Sequence, residues 1–326
     1  MRLAPGAEFD LIRRFVPHPA APGERGDVRV GPGDDCAVVA GDGIALSCDM
    51  SVEGVHFRRD WLSAREIGWR AAAAALSDLA AMAARPIGVL CSLAISDEDA
   101  PRFAEHLMAG VRDAAESVGG VLLGGDLTRS LGPIAVDVTV VGECPSPVLR
   151  SGARPGDEVW VTGELGGSAA YVAALLRDAL PDASARRCFA APVPRVREAA
   201  WLRSRGIPSA MIDISDGLAG DAAQIAAASG VAVVLETDAV PVHEAARTAA
   251  DGAALALSGG EDYELCFCAA GGAVQPHASA FESETGVRLT RVGRVKAGAG
   301  VWRADGAGGR VPLGRGGYQH FGEGRE

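Results

Sequence analysis

A chain of 326 residues is long enough for about two domains at roughly 100–200 residues each, and 48% apolar with 22% charged residues is the ordinary globular range. Gly and Pro make up about 19% of it, below the ~25–30% at which low-complexity disorder is the better reading. No uncharged apolar run approaches the ~18–20 residues of a membrane span, because Arg70, Asp78, Arg85 and Asp97 interrupt the longest candidate, and a net charge of −11 argues against a nucleic-acid partner, which calls for a clustered basic footprint.

In chain order, the opening MRLAPGAEFDLIRRF lacks the uninterrupted apolar stretch of a signal peptide, and a soluble, cytoplasmic protein is expected. Residues 36–41 and 43–48 read as two short strands around the Gly41-Asp42-Gly43 turn. An Ala-rich helical pattern runs from Ala64 to Ala84, followed by a strand over 88–96 and a helix over 99–119 that closes on Gly119. Two more strands follow, 120–125 and 133–143, the second alternating apolar and polar residues. Residues 151–164 make a fresh start, with a turn, a strand and a Gly-rich loop leading into a helix over 168–180, so a domain boundary is expected near residue 150. The second half again alternates the two kinds of run, with a strand at 210–214, a helix over 216–230, then strands at 231–236 and 263–268. The last thirty residues are Gly-rich and expected to be extended or loop with a mobile tip. The class is α/β and α+β in two domains, 1–150 and 151–326.

Lys296 is the only lysine. A phosphate-cradling P-loop needs G-x-x-x-x-G-K-[ST], so that mechanism is excluded. The seven cysteines (36, 48, 91, 144, 188, 266, 268) include no C-x-x-C pair and read as reduced core residues, which disfavours zinc and disulfides.

What remains is a series of acids in glycine turns at strand ends. Asp34-Asp35 follow Gly31-Pro32-Gly33, Asp49 ends the 43–48 strand, and Asp126 follows Gly124-Gly125. Asp213 to Gly217 joins a strand to a helix, and Glu261-Asp262 follow Gly259-Gly260. Each has an ordinary reading as a turn or cap; Ser215 is placed to N-cap the 216–230 helix, with Asp216 in its first turn. Asp78 has no such reading. At 100° per residue it falls near the centre of a stripe formed by Ile67, Ala71, Ala74, Ala75 and Met82. An unpaired carboxylate there is costly, so water, a cation or a basic partner must meet it. Oxygen ligands without His or Cys suit Mg²⁺ or Mn²⁺, bound through carboxylates plus substrate phosphates.

Eight segments also carry a family likeness, in order: GDDCAVV (33–39), SCDMSVEGVHF (47–57), LSDLAAM (76–82), GGDLTR (124–129), VTGELGGSAA (161–170), IDISDGL (212–218), SGGEDYEL (258–265) and GRGGYQHF (314–321). Over nearly the whole chain the sequence resembles the thiamine-monophosphate kinases, of the superfamily named after aminoimidazole ribonucleotide synthetase. The resemblance implies an N-terminal α/β domain whose strands pair with those of a second subunit, a C-terminal α+β domain, and a homodimer. It implies transfer of the γ-phosphoryl group of ATP to thiamine monophosphate, with several Mg²⁺ ions held by Asp35, Ser47, Asp49, Asp78, Asp126, Asp213 and Asp216. Gly125, Asp126, Arg150 and Ser215 would contact the nucleotide, and His56, Glu261 and Tyr318 the thiamine phosphate. Where the family carries Ser-Thr-Asp, this chain has Ser47-Cys48-Asp49; a thiol is a poor Mg²⁺ ligand, so a contact there would come from the backbone.

Three rivals share the superfamily. A selenophosphate synthetase would need a reactive Cys or selenocysteine near the N-terminus, and the first Cys here is Cys36. A hydrogenase-maturation relative would end in Cys rather than Gly324-Arg325-Glu326, and aminoimidazole ribonucleotide synthetase lacks the SGGEDYEL arrangement. A non-catalytic nucleotide or thiamine diphosphate sensor is opposed only by the intact set of acids.

Overall fold

In the computed structural model, residues 28–30, 34–39, 41, 43–96, 98, 102–249, 251–305, 309–313 and 317 are described. The first sheet is built from β1 (Val28–Val30), β2 (Ala37–Val39), β3 (Ile44–Val52), β4 (Arg85–Ile95), β5 (Val121–Arg129) and β6 (Ala135–Glu143), in the order β1-β2-β3-β6-β4-β5. In β6 every second residue is buried, Val136, Val138 and Val140 facing the core, as a half-covered strand requires. The covering layer is α1 (Ala64–Ala81) and α2 (Phe103–Ser117).

Helix α1 opens with a capping box: the Ser63 hydroxyl accepts from the Glu66 N–H while the Glu66 carboxylate accepts from the Ser63 N–H. It ends at the Ala83 turn, whose φ of 53° is left-handed. Almost every residue of α1 is buried, since it lies against the first sheet on one side and the second half of the chain on the other. The crossing with α2 is close enough that a Cβ on Gly68 would sit 1.9 Å from the Leu107 carbonyl oxygen, and one on Gly110 would sit 1.9 Å from that of Arg65.

The second sheet joins β7 (Glu158–Thr162), β8 (Ala210–Ile214), β9 (Ala232–Leu235), β10 (Glu264–Ala269), β11 (Leu289–Lys296), β12 (Gly300–Ala304) and β13 (Arg310–Pro312), in the order β13-β12-β9-β11-β7-β10-β8. Strands β8 and β10 are buried throughout, Cys266 and Cys268 included, as expected for small core residues. Of the helices α3 (Gly167–Leu176), α4 (Ala183–Ala190), α5 (Val196–Ser204) and α6 (Leu218–Ser229), α6 packs on this sheet, while α4 and α5 pack against α1. The Gly-rich tail supplies β12 and β13; its end lies outside the described residues. Among the described residues no helix is long and apolar enough to cross a membrane.

Candidate active site

Three acids far apart in sequence meet: Asp35 at the entry to β2, Asp78 on α1 and Asp213 on β8 bring carboxylate oxygens within 4.8 Å of one another. Each is held. The Ser47 hydroxyl on β3 donates to Asp78 at 2.5 Å, and the Ser77 hydroxyl donates to Asp213 at 2.7 Å. Arg150 grips Asp35 through Nε and Nη2 at 2.8 and 2.9 Å, a bidentate fork. Burial, then the neighbouring Asp213 and Asp35 charges, pushes the Asp78 carboxyl well above the usual carboxylate range. Burial and the charge of Asp35 push Asp213 up to about 8. Arg150 moves the other way from what burial dictates: the charge and hydrogen bonds of Asp35 hold its guanidinium more firmly protonated. One guanidinium does not neutralise three carboxylates, so this all-oxygen donor set fits a divalent cation.

The cluster adjoins a cavity of ≈ 800 Å³. Asp49 on β3 and Ser215 and Asp216 beyond β8 line its near wall. Asp49 is not at a strand end, because β3 runs on to Val52 in register with β6. Nor does Ser215 cap the following helix. Helix α6 starts at Leu218 behind Gly217, and the buried carboxylate of Asp221 reaches back to accept from the N–H groups of Asp216 (3.1 Å) and Gly217 (3.0 Å). Asp221 escaped the sequence reading because an acid in a first helical turn is the ordinary response to the dipole.

The far wall carries His56, Arg70, Phe189 and Glu261. His56 Nδ1 accepts from the Val52 N–H at 3.0 Å, so the ring proton sits on Nε2, which is then a donor. Glu261 and Tyr263 both have left-handed backbone, φ 70° and 51°, strain of the kind stored at working sites. Three hydrogen bonds hold that loop: Glu261 N–H to Ser215 O (2.7 Å), Tyr263 N–H to Ile214 O (2.8 Å), and Gly166 N–H to the Asp262 carboxylate (2.8 Å) at the start of α3. Burial pushes the Asp262 carboxyl up to about 8. Arg70 was not among the expected residues. It is buried on α1, donates to the Phe189 carbonyl at 2.7 Å and pairs with Glu261. A charge inside an Ala-rich helix was its only sequence signal.

Two expected residues stand elsewhere. Asp126 lies within β5 rather than at its end, and the register Asp49–Val138–Cys91–Gly125 puts it one residue out of step with Asp49, on the opposite sheet face. There it lines a small surface hollow with Met50, Ser92 and Asp137, three strand spacings or roughly 14 Å from β3. Gly125 is a glycine for packing reasons, since a Cβ would sit 1.8 Å from the Cys91 carbonyl oxygen of β4. Tyr318 lies outside the described residues.

Residues 33–144 match the AIR synthase related protein N-terminal domain and residues 154–303 its C-terminal domain. A thiamine-monophosphate kinase of Rhodopirellula baltica is 36% identical over 293 residues, 85% of this chain and 86% of the relative. One of Methanopyrus kandleri is 37% identical over 303 residues, 91% and 92% of the two chains. The solved structure described as AaThiL complexed with AMPPCP and TMP superposes with a TM-score of 0.82 at 29% identity, covering 96% of each chain.

Proposed function

We propose that this chain, which belongs to the thiamine-monophosphate kinase family, transfers the γ-phosphoryl group of ATP to thiamine monophosphate, giving thiamine diphosphate and ADP. The observation that carries the reading is the convergence of Asp35, Asp78 and Asp213 beside a cavity of ≈ 800 Å³. The acceptor is a phosphate with a second pKa of about 6, already ionised at pH 7. Its oxygen attacks the γ-phosphorus directly, the bond to the β–γ bridging oxygen breaks, and ADP leaves with that electron pair. No general base is needed. The problem is bringing two polyanions together, and positioning with charge stabilisation answers it.

Asp35, Asp78 and Asp213, with Ser47, Asp49 and Asp216 around them, would hold Mg²⁺. Bound there, Mg²⁺ would supply positive charge that offsets the charge of the phosphates. The protein's part is to keep the carboxylates aimed: Ser47 holds Asp78, Ser77 holds Asp213, and Arg150 holds Asp35 until a nucleotide phosphate draws the guanidinium away. Ser215 faces the nucleotide, while His56 and Glu261 face the thiamine phosphate, a role that the family likeness extends to Tyr318. The change-over near residue 150, between the two sheets, divides the half that carries Asp35, Ser47, Asp49 and Asp78 from the α+β half, which adds Asp213, Ser215 and Asp216 to the same site.

The chain works as a homodimer in the cytoplasm. Strand β5 is an exposed edge with Val121, Leu123 and Leu127 at 51, 48 and 62% exposure, a template for a second copy. Gly125 and Asp126 act from that edge, so their place in the site depends on the second copy. ADP release from purified protein, requiring both Mg²⁺ and thiamine monophosphate, tests the reading. Metal-dependent ATP binding without turnover would overturn it in favour of a sensor.

A further inference from the structure

Arg70 has no part in the transfer just described, yet it is among the most tightly fixed side chains of the cavity. It is 4% exposed. Its Nη1 donates to the Phe189 carbonyl at 2.7 Å, its Nη2 donates to Glu261 Oε1, and its Cζ lies over the Phe189 ring, 3.8 Å from the centroid. Tyr171 backs that ring, with centroids 5.1 Å apart. A lysine offers neither the planar fork nor the stacking face. Glu261 is fixed from the other side by its N–H bond to Ser215 O and by the neighbouring Asp262, which ties the loop to α3. A guanidinium with five N–H donors and a carboxylate with two acceptor oxygens are therefore locked side by side, one from each half of the chain. Glu261 keeps 30% of its side chain exposed.

We propose that the Arg70–Glu261 pair reads the amino-bearing edge of the acceptor's pyrimidine ring, Glu261 accepting from the exocyclic amine and Arg70 donating to the adjacent ring nitrogen. The inference rests on thiamine monophosphate being the acceptor. Helix α1 supplies the scale. Arg70, Ala74 and Asp78 follow at four-residue steps on one broad face, Arg70 and Ala74 lining the cavity and Asp78 belonging to the acid cluster. At 1.5 Å per residue Arg70 and Asp78 are ~12 Å apart along the axis. A single rigid helix thus spaces the group that reads the ring from the carboxylates where the phosphate must arrive. An acceptor whose ring edge does not match leaves the remaining donors of the buried Arg70 and the free oxygen of Glu261 without partners in the cavity, the situation in which enzymes discriminate most strongly.

Oxythiamine monophosphate tests this, because a carbonyl replaces the amine and the adjacent ring nitrogen carries a proton, inverting both hydrogen bonds. Values of kcat/KM for it and for thiamine monophosphate are to be compared in the wild type, Arg70→Met and Arg70→Lys. The wild type should prefer thiamine monophosphate by on the order of 10²-fold. Both variants should reduce that preference at least tenfold, chiefly through the acceptor KM, with the KM for ATP unchanged. Arg70→Lys, which keeps the charge, covers the case in which Arg70→Met does not fold. A wild type that turns over both acceptors alike overturns the inference, and so do variants that lose activity on both in equal proportion, the mark of a purely structural arginine. Absence of any turnover of thiamine monophosphate by the wild type overturns the kinase reading itself, and the inference with it.

Discussion

Replacing Asp78 by Asn removes a carboxylate of the three-acid cluster that burial and the neighbouring Asp213 and Asp35 charges make hard to ionise. Two effects of opposite sign follow. ADP release should fall at least about 10²-fold, the scale on which lost transition-state charge stabilisation is felt. The metal-free protein should melt at a higher temperature, since the amide carries no charge to bury and still accepts from Ser47. Near-wild-type turnover, or a lower melting temperature, would contradict the assignment. Asp262 permits a pH test. Its folded-state carboxyl, pushed up to about 8, keeps its proton over a range where the unfolded chain has lost it, from about pH 4 upward. The folded state then binds more protons, so stability falls as pH rises through that window and levels off above about 8. Asp262→Asn should flatten the slope of unfolding free energy against pH by up to about 1.4 kcal/mol per pH unit between 5 and 8, read from denaturant titrations. Asp78 could be found in the sequence because its period placed an acid in an apolar stripe. Arg70 lies in the same helix, but its meaning depends on Glu261, 191 residues away, and no local pattern carries that.

Helix α1 is the element on which the site is built, and its closeness to α2 can be tested without touching a cavity residue. A methyl group at Gly68 would overlap the Leu107 carbonyl, forcing the helices apart. Gly68→Ala should therefore destabilise the protein by about 1–3 kcal/mol, seen as an earlier denaturant midpoint, and should lower turnover as Asp78 shifts. Unchanged stability would mean that the crossing is looser than described. The helices α1 and α2 were legible in the sequence to within a few residues, because periodicity and the glycine after α2 mark them. Strands β3 and β5 were read too short. Their apolar runs stop at Cys48 and Gly125, but the ladders with β6 and β4 carry the backbone on to Val52 and Arg129. Pairing across strands, which single-strand patterns do not encode, sets those ends and moves Asp49 and Asp126 from strand tips to mid-strand.

For the whole molecule, the open β5 edge is the feature that calls for a partner. Light scattering on the wild type should give twice the mass of one chain, and Leu127→Asp should give a monomer with reduced turnover; a wild-type monomer at micromolar concentration would remove the argument. The two-sheet class was accessible from the order of strand-like and helix-like runs. The meeting of Asp35, Asp78 and Asp213 was accessible only through the family likeness and not from local pattern, because it depends on how the second sheet docks on α1. That docking has a mechanical consequence. The seam between the halves is closed by Ser77 on Asp213, Arg70 on Glu261, Trp69 on the Pro192 carbonyl and Arg186 on Glu66. Swinging the halves apart like a book would break all four at once and strip Asp213 of the hydroxyl that aims it. The enzyme is therefore built as a fixed vice rather than a jaw, and both substrates must thread in through the mouth of the cavity while the body around them stays shut.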